Sequence, residues 1–120
     1  DAVVHHDVTY PGRNWHLRRV HKWGKVAAVV SRFPESRDRL LWHRYFLGPR
    51  NAAFAAALVG VGLAPLNRKA LMLTLPYLRE QGPRSLNPRA LYGAGERLAI
   101  DASVFIGMVR GSVRWRALVL

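Results

Sequence analysis

Five histidines, seven acids and no cysteine are what this 120-residue chain offers for chemistry. Their spacing decides how much chemistry is open to it. His5 and His6 are adjacent, so in an extended segment they point to opposite faces and at most one enters any given site. His16 and His21 lie five apart, roughly 140° around a helix axis, which is wrong for sharing an ion, and His43 stands alone. With no His-Glu-x-x-His pattern, no cysteine ligand and no acidic cluster, nothing marks an independent metal site. The acids, Asp1, Asp7, Glu35, Asp38, Glu80, Glu96 and Asp101, are scattered, and no local pair suits a general acid and base. Ser31, Ser36, Ser85, Ser103 and Ser112 sit in no Gly-x-Ser-x-Gly turn. Gly93-Ala94-Gly95 follows no strand and makes no phosphate loop. These residues do not compose a complete catalytic site.

Charge is the stronger signal. Nineteen Lys and Arg against seven Asp and Glu give a formal net charge of +12. An excess of one sign otherwise only adds self-repulsion, so it implies a polyanionic partner, either nucleic acid or an anionic membrane surface. Sixteen of the nineteen cations are arginine, a bias that a GC-rich coding sequence would also produce. The lack of cysteine excludes a disulfide scaffold and a thiol nucleophile and is compatible with a reducing cytosol. A chain of this length suits one domain that buries about two-thirds of its unfolded surface. No basic segment followed by an apolar stretch and a small-residue cleavage site opens the chain, so no signal peptide is visible.

The elements follow from periodicity and punctuation. Ala2 to Thr9, with Val3, Val4 and Val8, reads as the one strand, ended by Tyr10-Pro11-Gly12. Asn14 caps a helix predicted from Trp15 to about Phe33, stopped by Pro34. Leu17, Val20, Trp23, Ala27 and Val30 form its apolar face, and Arg18, Arg19, Lys22, Lys25 and Arg32 occupy most of the rest. Tryptophan beside cations on such a helix is the pattern of one lying in a membrane interface, with Trp15, Arg18, Arg19, Lys22, Trp23 and Lys25 as the binding residues. A second helix, capped by Ser36 or Asp38, is predicted from about Arg37 to Leu47. Residues 51–67 carry no charge, and with 68–79 they read as an apolar helical hairpin broken at Ala64-Pro65. The uncharged run is shorter than the ~20 residues that span a bilayer. Residues 82–95, rich in Gly and Pro, read as mostly loop, followed by a helix from about Glu96 to Arg110. Ala99, Ser103, Gly107 and Gly111, four apart, make either a stripe for close helix contact or ordinary small core positions in a crowded bundle.

Three segments carry a family resemblance. DAVVHH, residues 1–6, resembles the Asp-Ala-Val-Val-x-His strand that closes the GT-A domain of bacterial family 2 glycosyltransferases, just after their Glu-Asp base motif. VSRFPESR, residues 30–37, is similar to their Arg-x-Pro-Glu-x-Arg segment, with Phe33 where histidine is more usual. RGSVRWRALVL, residues 110–120, resembles the Arg-Gly-Ser-Val-Arg-aromatic-Arg tail of many of them. The chain opens on Asp1 rather than methionine, which agrees with a C-terminal portion of an enzyme whose remaining active site lies upstream.

The resemblance implies a mainly α fold: one N-terminal β-strand orphaned from a GT-A sheet, residues 1–12, then about five helices, including the apolar hairpin, in a membrane-associating region, residues 13–120. It implies transfer of a sugar from a nucleotide-diphosphate donor to an acceptor, lipid-linked or not, at the cytoplasmic face of a bacterial membrane. It also implies a divalent metal, Mn²⁺ or Mg²⁺, to which His6 contributes one ligand while carboxylates of the upstream domain supply the charge. His5 takes the position often held by an aromatic residue. No catalytic residue falls within the fragment, which is expected to be inactive alone. A reading of another class is a small basic nucleic-acid-binding protein, since WHLRRVHKW and SVRWR interleave Arg with Trp for phosphate contact and base stacking. The uncharged run weighs against it, because a small helical RNA-binding domain would have to bury that run completely.

Overall fold

The structure, a computed structural model, describes residues 20–120. Within them the protein is mainly helical. Five α-helices follow in order: α1 Val20–Arg32, α2 Arg37–Leu40, α3 Pro49–Leu63, α4 Leu75–Gln81 and α5 Pro88–Trp115. Two 3₁₀ segments, Pro34–Ser36 and Arg68–Thr74, lead into α2 and α4. The strand expected over residues 2–9, the Asn14 cap and the start of the first helix lie outside the described residues.

α1 and α5 form the scaffold, and glycine lets them touch. A Cβ on Gly24 would stand 3.1 Å from the Gly107 carbonyl oxygen and 3.2 Å from Gly111 Cα. A Cβ on Gly111 would stand 2.6 Å from the Gly24 carbonyl oxygen. The backbones therefore meet where three side chains are missing, and the helices close around Ala27, Val30 and Met108, all buried. The small-residue stripe serves close contact in its second half. Ala99 is exposed, and Ser103 returns its hydroxyl to the Ala99 carbonyl at 2.7 Å.

The helix expected over 37–47 stops at Leu40. Leu41 is extended at φ −119°, ψ 136°, and the chain then reverses so that Trp42 N donates to Phe46 O at 2.7 Å. His43 and Arg44 adopt positive φ of 48° and 69°, which costs about 1–2 kcal/mol per residue for an L side chain. What offsets that cost comes from the far end of the chain. Leu120 N donates to Tyr45 O at 2.6 Å, and Leu47 N donates to Leu120 O at 2.9 Å. A helix through 47 would forfeit both bonds.

The segment 82–95 is likewise shorter as a loop than its Gly and Pro content suggests. Asn87 accepts from Ala90 N at 2.7 Å and Pro88 fills the first turn, so α5 begins seven residues before Gly95 and runs through it. Two interior glycines cost only about 1 kcal/mol each relative to alanine, less than the cap and the tertiary contacts of this first half return.

The apolar hairpin forms with its break at 64–67, where Asn67 caps the return by accepting from Lys69 N at 3.0 Å. The return is a 3₁₀ segment up to Thr74, and Pro76 sits in the first turn of α4, where its missing N–H is harmless. Gly60 is buried because the returning backbone crosses it: a Cβ there would meet the Ala70 carbonyl oxygen at 2.7 Å.

Candidate functional site

The hairpin buries an aromatic group and leaves most of its aliphatic side chains exposed. Phe54 and Tyr77 are buried edge to face, 5.2 Å between centroids, and Phe105 of α5 meets Phe54 edge to face at 5.7 Å. Leu58, Val59, Val61 and Leu63 of α3 are exposed, as are Leu71 and Leu73 of the return and Leu75 of α4. Leu66 at the tip is 86% exposed and Met72 66%. A helix that is apolar on all sides normally lies inside a core or a membrane. Between Arg39 and Arg79 the chain has no acid and six cations, Arg39, Arg44, Arg50, Arg68, Lys69 and Arg79. The bare surface is therefore set in a stretch of one charge sign.

A buried polar cluster fixes the hairpin to α5. Asp101, 5% exposed, takes Arg50 in a two-pronged pair, Nη2 to Oδ1 at 2.8 Å and Nε to Oδ2 at 3.1 Å. The Tyr77 hydroxyl donates to the same Oδ2 at 2.7 Å. Burial, the hydrogen bond to Asp101 and its negative charge all push the Tyr77 hydroxyl well above its usual range, so it remains a donor. No buried side-chain polar atom lacks a partner among the described residues, so this group is a satisfied clamp and has no free acid or base to lend to a reaction.

A second cluster joins two of the segments that carry the family resemblance. Arg37, at the end of residues 30–37, donates from Nη1 to the carbonyls of Arg44 at 2.9 Å and Leu118 at 3.0 Å. In the tail, Ser112 donates to Val119 O at 2.7 Å and accepts from Val119 N at 2.9 Å. Arg116 ends α5 in the left-handed conformation, φ 48°, which folds the last four residues back so that Ala117 and Val119 are buried beside Leu41.

Of the residues expected to act, His6, Trp15, Arg18 and Arg19 lie outside the described residues. Lys22 and Lys25 project from α1 into solvent, and Trp23 is 40% exposed at the edge of the α1–α5 contact. Further along the same apolar face Ala27 and Val30 are consumed by the core, so α1 has only a partial apolar surface to offer elsewhere. His43 is exposed against the edge of Trp42, 4.1 Å between ring centroids. Among the described residues no three His, Asp or Glu side chains come together in a way that could hold a metal, and these residues do not fit a divalent cation. Nor is any helix among them long and apolar enough to cross a membrane: α3, at 15 residues, is about 22 Å long against a hydrocarbon core of about 30 Å.

Sequence reasoning missed the Arg50–Asp101–Tyr77 clamp. Its signal was an acid at helical spacing from Leu98, Val104, Phe105 and Met108, on a face that otherwise reads as mostly apolar. The chain matches no protein-family model, no curated protein and no solved structure.

Proposed function

We propose that residues 20–120 are the membrane-docking part of a family 2 glycosyltransferase, in which the hairpin seats the enzyme on an anionic bilayer. The observation that carries the docking is the set of exposed aliphatic side chains on α3 and its return, with Leu66 and Met72 the barest and Arg68 and Lys69 between them in the chain. Leucine at the tip enters the acyl boundary while the two cations stay at headgroup depth, each contributing roughly 1 kcal/mol near an anionic leaflet. The enzyme class rests on the three resembling segments and their order. Arg37 of one bonds the Leu118 carbonyl of another, and this pairing supports reading both as parts of one structural unit.

In this reading the donor, the base and the carboxylates holding the divalent cation belong to a domain upstream of Asp1, and His6 adds one imidazole. The nucleotide-sugar donor and a lipid-linked acceptor then meet at the cytoplasmic membrane face. A nucleic-acid-binding role leaves the exposed leucines without a purpose.

Vesicle co-sedimentation tests the docking. Leu66→Glu with Met72→Glu alters two exposed side chains that brace nothing, so the fold survives while binding to anionic vesicles falls by tenfold or more, since burying each apolar side chain is worth about 1.5–3 kcal/mol. Unchanged binding refutes the hairpin as the docking element. The class is tested upstream: Asp-x-Asp and Glu-Asp motifs in the coding sequence before Asp1 are expected, and their absence overturns the glycosyltransferase reading.

A further inference from the structure

Beyond the hairpin, the loop between α4 and α5 encloses a surface cleft of about 420 Å³. Its charged lining consists of Arg84 from the loop, Arg89 and Arg97 from the first and third turns of α5, and Glu80 from α4. Three positive charges against one negative leave the cleft at +2. Arg84 and Arg89 pair with no carboxylate among the described residues, and the two short salt bridges there lie elsewhere, at Arg44–Asp38 and Arg50–Asp101. Arg97 is held in place, donating Nε to the Gln81 carbonyl at 3.2 Å, so that its terminal nitrogens remain available. Its guanidinium lies over Gly93, where an added Cβ would stand 3.5 Å from Nη1. Gly82 and Gly93 also line the cleft.

Arginines brought to one cleft from two helical turns and a loop offer the forked donors that bind phosphate oxygens, and the positive end of α5 adds to their field. We propose that this cleft binds a phosphomonoester or diphosphate group, a dianion that matches its +2 charge. The volume exceeds that of the phosphates alone, so a larger molecule or lipid headgroup carries the group. The proposal does not rest on the membrane reading, because it needs neither bilayer nor upstream domain.

The test is calorimetric titration of the full 120-residue chain with sodium pyrophosphate, beside sedimentation with phosphatidylcholine vesicles containing phosphatidic acid. Arg84→Gln and Arg89→Gln should each weaken binding about tenfold or more, the effect of losing one charge-assisted hydrogen-bonded contact. Arg110→Gln, the same change at an exposed site outside the cleft, should leave it unaltered. Glu80→Gln should tighten it several-fold, an outcome that loss of structure cannot imitate. Arginine dependence with pyrophosphate identifies a soluble phosphate ligand, and dependence with vesicles alone identifies a lipid headgroup. If Arg84→Gln and Arg89→Gln match Arg110→Gln in both arms, or if Glu80→Gln fails to tighten binding, the site is refuted.

Discussion

Adding one methyl group at Gly111 should separate the two helices that organise the protein. The new Cβ would lie 2.6 Å from the carbonyl oxygen and 2.9 Å from the carbonyl carbon of Gly24, and would also collide with its Cα. All three are backbone atoms, so no rotamer change relieves the overlap. Restoring van der Waals separation moves α1 away from α5 by roughly an ångström, and a gap of 0.5–1 Å forfeits about a quarter to a half of each dispersion contact across the interface. Ala27 and Val30 of α1 and Met108 of α5 pay that loss together, because they pack around the glycine contact. Overpacking of this kind costs about 1–3 kcal/mol, occasionally more, and exceeds the helix-propensity gain of about 1 kcal/mol on replacing glycine. Gly62 supplies the opposite sign within the same molecule: it is helical, and a Cβ there meets nothing within 4 Å, so Gly62→Ala should stabilise by about 0.5 kcal/mol. Gly24→Ala, with its closest approach at 3.1 Å, should fall between the two. Thermal unfolding at about 4 °C per kcal/mol resolves this order. A Gly111→Ala variant that melts at or above wild type would show that α1 and α5 do not approach through their glycines.

Asp101→Ala leaves the Arg50 guanidinium and the Tyr77 hydroxyl without their acceptor. Because Arg50 is 39% exposed and can turn to water, the loss should be about 2–3 kcal/mol in urea unfolding, below the 3–5 typical of a fully buried pair. Tyr77 keeps its proton more tightly when folded than when unfolded, so its contribution is complete below pH about 10 and is lost as pH rises beyond that. Stability should therefore fall more steeply above pH 10 in wild type than in Tyr77→Phe, and parallel curves would refute the clamp. Ser112→Ala removes two hydrogen bonds to buried Val119 and should cost about 1–3 kcal/mol, with faster amide exchange at Val119 as the local readout. Gln at Arg18, Arg19, Lys22 and Lys25 together should weaken binding to anionic vesicles far more than to neutral ones, with the difference shrinking as salt rises.

Local signals in the sequence carried the helical class, the stop of α1 before Pro34, the hairpin break beside Pro65 and the spacing of Gly107 and Gly111. Each depends on residues within a turn or two of one another. What stayed hidden depends on distant partners. The reversal at 41–47 is held by Leu120, and Arg37 reaches Leu118 across 81 positions. Asp101 reads as one of seven scattered acids until Arg50, 51 positions away, and Tyr77, 24 away, are brought to it. Gly24 carries no periodic signal, because its partners are glycines on another helix. The cleft arginines are legible only as charge, since the sequence reads Arg89 as loop while it stands in the first turn of α5.

These two kinds of contact divide the molecule unevenly, and the division bears on docking. The end holding α1, the 41–47 reversal and the tail closes on Val30, Met108 and Val119, each 2% exposed or less, although Phe33, Trp42, Val113 and Leu118 are exposed there too. The hairpin end is secured by the aromatic group of Phe54, Tyr77 and Phe105 and the Asp101 clamp, while most of its large aliphatic side chains face out. Packing specific enough to bury a carboxylate with both oxygens paired, yet leaving Leu66 and Met72 bare, does not describe a poorly made core. A fully hydrogen-bonded clamp of this kind ties the hairpin to α5, which a segment that presents apolar side chains to something else requires. If the proposed docking holds, the exposed leucines are the working surface and the clamp keeps them aimed: Asp101→Asn, which retains the shape but weakens the grip on Arg50, should lower vesicle binding even though residue 101 itself is buried. Vesicle binding unchanged in Asp101→Asn, in a variant still folded by circular dichroism, would separate the clamp from docking and leave it a stability element alone.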